Sequence, residues 1–124
     1  MIIRHYVPPL GWAVFILLLS SLPSDNLPGS SVEGIDKVVH FTLYLLFSHM
    51  LIVACKKQIR FTNLRISATK KAVIISVCYG IFMEVLQGTV FVSRSIELLD
   101  IFANSVGALA GVLSFKLVYG NLKN

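Results

Sequence analysis

The sequence predicts an all-α membrane protein: four transmembrane helices in a bundle, N- and C-termini cytoplasmic, with residues 1–124 forming one domain. Three observations carry that prediction. Apolar residues make up 56% of the chain and mean hydropathy is +0.79, far above the average for a soluble domain. Charged residues are only 14%, and they cluster, leaving four apolar stretches of roughly 16 to 21 residues, close to the ~20 that a helix needs to cross hydrocarbon. Six of the eleven basic residues, Lys56, Lys57, Arg60, Arg65, Lys70 and Lys71, lie together between two apolar runs with no acidic residue among them. These features exclude a soluble enzyme, a disordered tail and a disulfide-stapled secreted scaffold. The net charge of +5 reads as membrane topology rather than as a nucleic-acid partner.

The first span is expected over about 7–22, with the Pro8-Pro9 pair in its first turn, where helices tolerate proline, and Pro23 closing it. Its basic start also fits a secretory signal peptide, but Ser20-Ser21-Leu22-Pro23 is a poor cleavage site and the run is read as a retained helix. The second, third and fourth spans are expected over about 37–55, 72–92 and 98–119. Cys55 and Cys78 lack metal-type spacing and read as packing residues. Short cytoplasmic loops carry the excess of Lys and Arg, so the basic connection belongs inside and the loops at 23–37 and 93–98 outside. Arg4, Lys116 and Lys123 agree with that orientation, and Arg94 opposes it. The connection at 93–98 is short enough to make spans three and four antiparallel neighbours.

Polar residues inside the spans point to a site. Asp36, His40 and Tyr44 share a helical face by their i, i+4 spacing, with Lys37 beside them. Glu84 and Gln87 form an i, i+3 pair, and Asp100 and Asn104 an i, i+4 pair. At roughly 1.5 Å rise per residue, Tyr44 and Glu84 lie about 10 to 12 Å below the outer boundary and Asn104 about 8 to 9 Å below it. Three helices therefore offer polar groups at one depth, and ionisable groups near hydrocarbon need a partner or a wet cavity. His49 lies on the opposite face of its helix and is read as a helix-contact residue. Gly107 and Gly111 form a GxxxG which, with Asn104 and Ala108, gives a small-residue face for close helix approach, with Gly80 as a candidate to receive it.

The pattern Asp36-Lys37-x-x-His40-Phe41-x-x-Tyr44, Gly80-x-x-x-Glu84-x-x-Gln87, then Arg94 and Asp100-x-x-x-Asn104-x-x-Gly107-Ala108 resembles the VanZ-like family of small bacterial membrane proteins. The resemblance runs from about 36 to 111 and takes in all three polar clusters. It implies a bacterial cell-membrane location and a link to glycopeptide resistance, the family being named for a teicoplanin-resistance protein. It supplies no agreed reaction.

Each residue has a plain structural reading beside its functional one. Asp36 and Lys37 suit a helix start at the interface, and His40 with Tyr44 an interhelical hydrogen-bond pair. Glu84 is the sharpest case, because a carboxylate two turns deep needs Arg94, Lys37 or protonated His40 as counter-charge, or must stay neutral. Gln87 and Asn104 suit orientation by hydrogen bonding, Asp100 suits a helix cap, and Arg94 suits either an interfacial anchor or a bidentate grip on phosphate or carboxylate. His40, Glu84 and Asp100 are legitimate metal ligands, but one His and two carboxylates on three helices have no diagnostic spacing, so neither metal nor cofactor is expected.

The leading functional expectation is an outward-facing pocket that binds or modifies an anionic envelope component, a membrane lipid or lipid-linked wall precursor. Arg94 and Lys37 hold the anion, Glu84 and His40 act as base and acid, and Asp36, Tyr44, Gln87, Asp100 and Asn104 complete the site. The alternative is a structural bundle acting through a membrane-protein partner or as a homo-oligomer. An ion-coupled transporter ranks last, since its site belongs near the midplane and the polar set lies in one half.

Overall fold

The computed structural model describes residues 2–21, 35–58, 61–90 and 98–120. These form five helices: α1 (Ile2–Ser21), α2 (Ile35–Lys57), α3 (Thr62–Arg65), α4 (Ala68–Thr89) and α5 (Leu98–Tyr119). All but the single-turn α3 are long and apolar enough to cross a membrane. The described residues contain no strand.

α1, α2 and α4 begin earlier than hydropathy alone suggests, whereas α5 opens at Leu98 as expected. α4 opens at Ala68 and takes Lys70 and Lys71 into its first turn, while the rest of the basic connection contains α3. α1 opens at Ile2, which moves Pro8 and Pro9 from the expected first turn into the second. Each proline lacks the N–H that would bond the carbonyl four residues back. The loss falls on Arg4 and His5, in the end turn, where solvent can reach the freed carbonyls.

α2 is the centre of the bundle and packs against α1, α4 and α5, most extensively against α5. Two glycines allow that contact. A Cβ on Gly107 would stand 2.3 Å from the Phe41 carbonyl oxygen, and one on Gly111 would stand 2.6 Å from that of Leu45. Backbone therefore meets backbone, and the Ser48 hydroxyl donates across the seam to the Ala108 carbonyl at 2.8 Å. Ile16, Tyr44, Phe47, Leu51, Ile52, Ala72, Met83 and Phe115 fill the interior. α1 is tied on by Trp12, whose indole N–H donates to the Leu43 carbonyl (2.9 Å), and by its own Ala13 carbonyl, which accepts from the Tyr79 hydroxyl (2.6 Å). Val14, Leu18, Phe82, Phe102, Leu109, Leu113 and Leu117 point away from the bundle, as helices solvated by lipid require. Cys55 is buried and receives the Tyr6 hydroxyl at 3.7 Å, whereas Cys78 faces outward and takes no part in the core.

Candidate functional site

α2 begins, α4 ends and α5 begins at one end of the bundle, so their polar residues meet there. α4 presents a face of small residues every four positions, Ala68, Ala72, Ser76 and Gly80, all buried. The next position on that row is Glu84, only 1% exposed. Asp100 sits in the first turn of α5 at 5% exposure, with Asn104 one turn deeper at 1%.

The α2–α5 approach at Gly107 and Gly111 carries His40 onto α5. The Asn104 Oδ1 can only accept, so His40 Nδ1 donates to it, at 2.9 Å. That bond turns the other ring nitrogen, Nε2, towards Asp100 Oδ2, 3.6 Å away. Lys37 reaches the second Asp100 oxygen, Oδ1, and also pairs with Asp36 at 2.7 Å. Glu84 completes the group: ligand-type atoms of His40, Glu84 and Asp100 all lie within 4.8 Å of one another.

The surroundings leave polar atoms unpaired. Among the described residues the Tyr44 hydroxyl and Asn104 Nδ2 have no hydrogen-bond partner, and both side chains are fully buried. An unsatisfied buried donor costs about 1–3 kcal/mol, so both positions are expensive as structure alone. They are neighbours, since a Cβ on Gly80 would stand 3.1 Å from Asn104 Nδ2 and 3.3 Å from a Tyr44 ring carbon. Gly80 thus makes room for the Asn104 and Tyr44 side chains, while the Gly107 and Gly111 face meets α2 instead.

Seven of the expected site residues, Asp36, Lys37, His40, Tyr44, Glu84, Asp100 and Asn104, gather at this end. Gln87 is buried, and its amide N–H donates to the Ser20 carbonyl at 3.4 Å, tying α4 to α1. Arg94 lies outside the described residues. Ser76, buried and without a partner among the described residues, escaped the sequence reading, although its place on the small-residue row of α4 was visible. His49 does contact a neighbouring helix: its Nδ1 lies 2.8 Å from the Ser114 hydroxyl, beside Phe115 and Tyr119.

A protein-family model described as VanZ/LLP1 matches residues 3–119, which takes in every described span and the whole polar centre. No curated protein and no solved structure matches the chain.

Proposed function

The chain belongs to the VanZ/LLP1 family, and we propose that it is an envelope protein of the bacterial cell membrane whose polar centre faces outward and binds or modifies an anionic envelope component. The substrate class is a phospholipid or a lipid-linked wall precursor. The observation that carries this reading is the convergence of His40, Glu84 and Asp100 from three helices in a low-dielectric interior. Each buried ionisable group is costly there, by a few kcal/mol on insertion scales.

The bundle has other means of holding itself together. Trp12, Tyr79 and Ser48 supply interhelical hydrogen bonds away from the acids. Function is therefore the better account of three carboxylates at one end. Held by Asn104, the His40 ring presents Nε2 beside two carboxylates, an arrangement suited to moving a proton: Glu84 as base, His40 as acid, Asp100 orienting. Lys37 bridges the half-exposed Asp36 and the buried Asp100, linking the mouth of the site to its centre. Arg94, in the connection between α4 and α5, is the further cation assigned to the anionic group.

The test is teicoplanin susceptibility of a sensitive Gram-positive host carrying wild type or Glu84→Gln at matched membrane levels, with empty vector as reference. Raised tolerance with wild type and none with the variant is the expected result. Equal tolerance with both makes Glu84 structural and moves the search to a partner protein. No effect from either removes glycopeptide resistance from the proposal.

A further inference from the structure

We propose that His40, Glu84 and Asp100 are the ligands of a divalent cation of zinc or manganese character. The inference rests on reading the cluster as a functional centre, and it deepens that reading by naming the charge the centre uses. Lys37 engages two carboxylates of this end, Asp36 and Asp100, and the side chains of Glu84 and Asp100 are both buried. A bound divalent ion brings positive charge to these carboxylates and leaves coordination positions for a phosphate oxygen or a water.

The donor set fits. One imidazole and two carboxylates from different elements suit zinc(II) or manganese(II), with room left for exogenous ligands. Ligand atoms at about 2.0–2.2 Å from one ion stand roughly 3.3 Å apart in a tetrahedron. His40 Nε2 and Asp100 Oδ2, at 3.6 Å, are already near that spacing. The full set lies within 4.8 Å, and side-chain adjustments of up to about 1.5 Å close it.

The groups around the ligands are arranged as metal sites arrange them. The bond from His40 Nδ1 to Asn104 fixes the tautomer that leaves the Nε2 lone pair for the ion. Lys37 takes Asp100 Oδ1 and leaves Oδ2 on the His40 side, so the ligating carboxylate is held from behind. Independently, two buried donors border the cluster with no partner among the described residues. Asn104 Nδ2 belongs to the amide that orients His40, and the Tyr44 ring packs beside it at Gly80. Both are placed to donate to a water or phosphate oxygen carried by the ion.

The full-length, untagged chain in lipid nanodiscs, stripped with chelator, should take up one ion per chain from zinc(II) or manganese(II) chloride, measured as metal content after gel filtration. His40→Ala, Glu84→Gln and Asp100→Asn should abolish uptake, and Asn104→Ala should weaken it about 10- to 100-fold. Because a ligand variant can fail to fold, X-ray absorption on the loaded wild type provides a second readout: one imidazole in a nitrogen and oxygen shell, without sulfur. Substoichiometric uptake of both ions overturns the proposal. So does retained uptake by a folded ligand variant, an absorption spectrum lacking imidazole, or one dominated by the thiolates of Cys55 and Cys78. A metal-free wild type alongside a defective Glu84→Gln in cells removes the metal and leaves the envelope reading. A loaded wild type with a silent Glu84→Gln does the reverse.

Discussion

Ser76 has a hydroxyl buried to 0% exposure with no partner among the described residues. It lies on the same face of α4 as Glu84, two turns away, and plays no part in the polar centre. Ser76→Ala removes an unsatisfied group and leaves a residue that packs well in a helix seam, so it should raise stability by about 1 kcal/mol, read as a higher thermal midpoint in detergent. A lowered midpoint would mean that the hydroxyl has a partner in the membrane. The contrast with Tyr44 and Asn104 is instructive, because the same defect recurs there beside carboxylates rather than in an apolar seam. At this scale the sequence was informative where a residue was chemically out of place. Glu84, His40, Asp100 and Asn104 stood out in apolar runs, and they do meet. Gln87 is as conspicuous in the sequence, and its amide also donates to Ser20 on α1. Spacing along one helix gives the face of a residue, and only packing decides which neighbour that face meets.

Between elements, the α2–α5 contact controls the geometry of the centre, and glycine substitutions separate its two roles. At Gly107 a methyl group would collide with the Phe41 carbonyl, 2.3 Å away, and backbone has no rotamer by which to yield. Gly107→Ala should force the helices apart, cost roughly 1–3 kcal/mol by overpacking, and break the His40–Asn104 bond one turn away. At Gly80 the nearest atoms are side chains, Asn104 Nδ2 at 3.1 Å and Cβ at 3.2 Å, which can shift by tenths of an ångström. Gly80→Ala should therefore cost about 1 kcal/mol or less while displacing Asn104 and with it the His40 ring. Thermal midpoints and teicoplanin tolerance of the two variants, measured together, check this: Gly107→Ala loses both, Gly80→Ala chiefly tolerance. Equal midpoints would show that α2 and α5 are not in backbone contact. The GxxxG motif announced such a contact but not its partner. Helix starts were less legible, since α1 runs through Pro8-Pro9 and α4 opens on the charged Lys70 and Lys71, where hydropathy fades but backbone bonding continues.

At the scale of the whole molecule, charge differs between the two ends of the described bundle, and that difference is what the proposed orientation rests on. One end holds Asp36, Lys37, Glu84 and Asp100. The other carries Lys56 over the Phe115 ring at 5.6 Å and Lys57 over Tyr119 at 5.7 Å, followed by the basic segment around α3. Aromatic rings and lysines together mark an interface, and an excess of Lys and Arg over a short connection is retained on the cytoplasmic side. In the proposed orientation the acidic end faces out, where wall precursors and glycopeptides are found. Single cysteines in a Cys55→Ala, Cys78→Ala background test this with a membrane-impermeant maleimide. Ser21 is exposed at the end of α1, on the side of the polar centre, and Asn63 is exposed on α3. Ser21→Cys should label in intact cells, and Asn63→Cys only after lysis. The opposite pattern would turn the centre towards the cytoplasm and end the proposal of an external envelope ligand. The metal-site inference would survive, because His40, Glu84 and Asp100 are brought together by the α2–α5 and α4–α5 contacts whichever way the bundle is inserted.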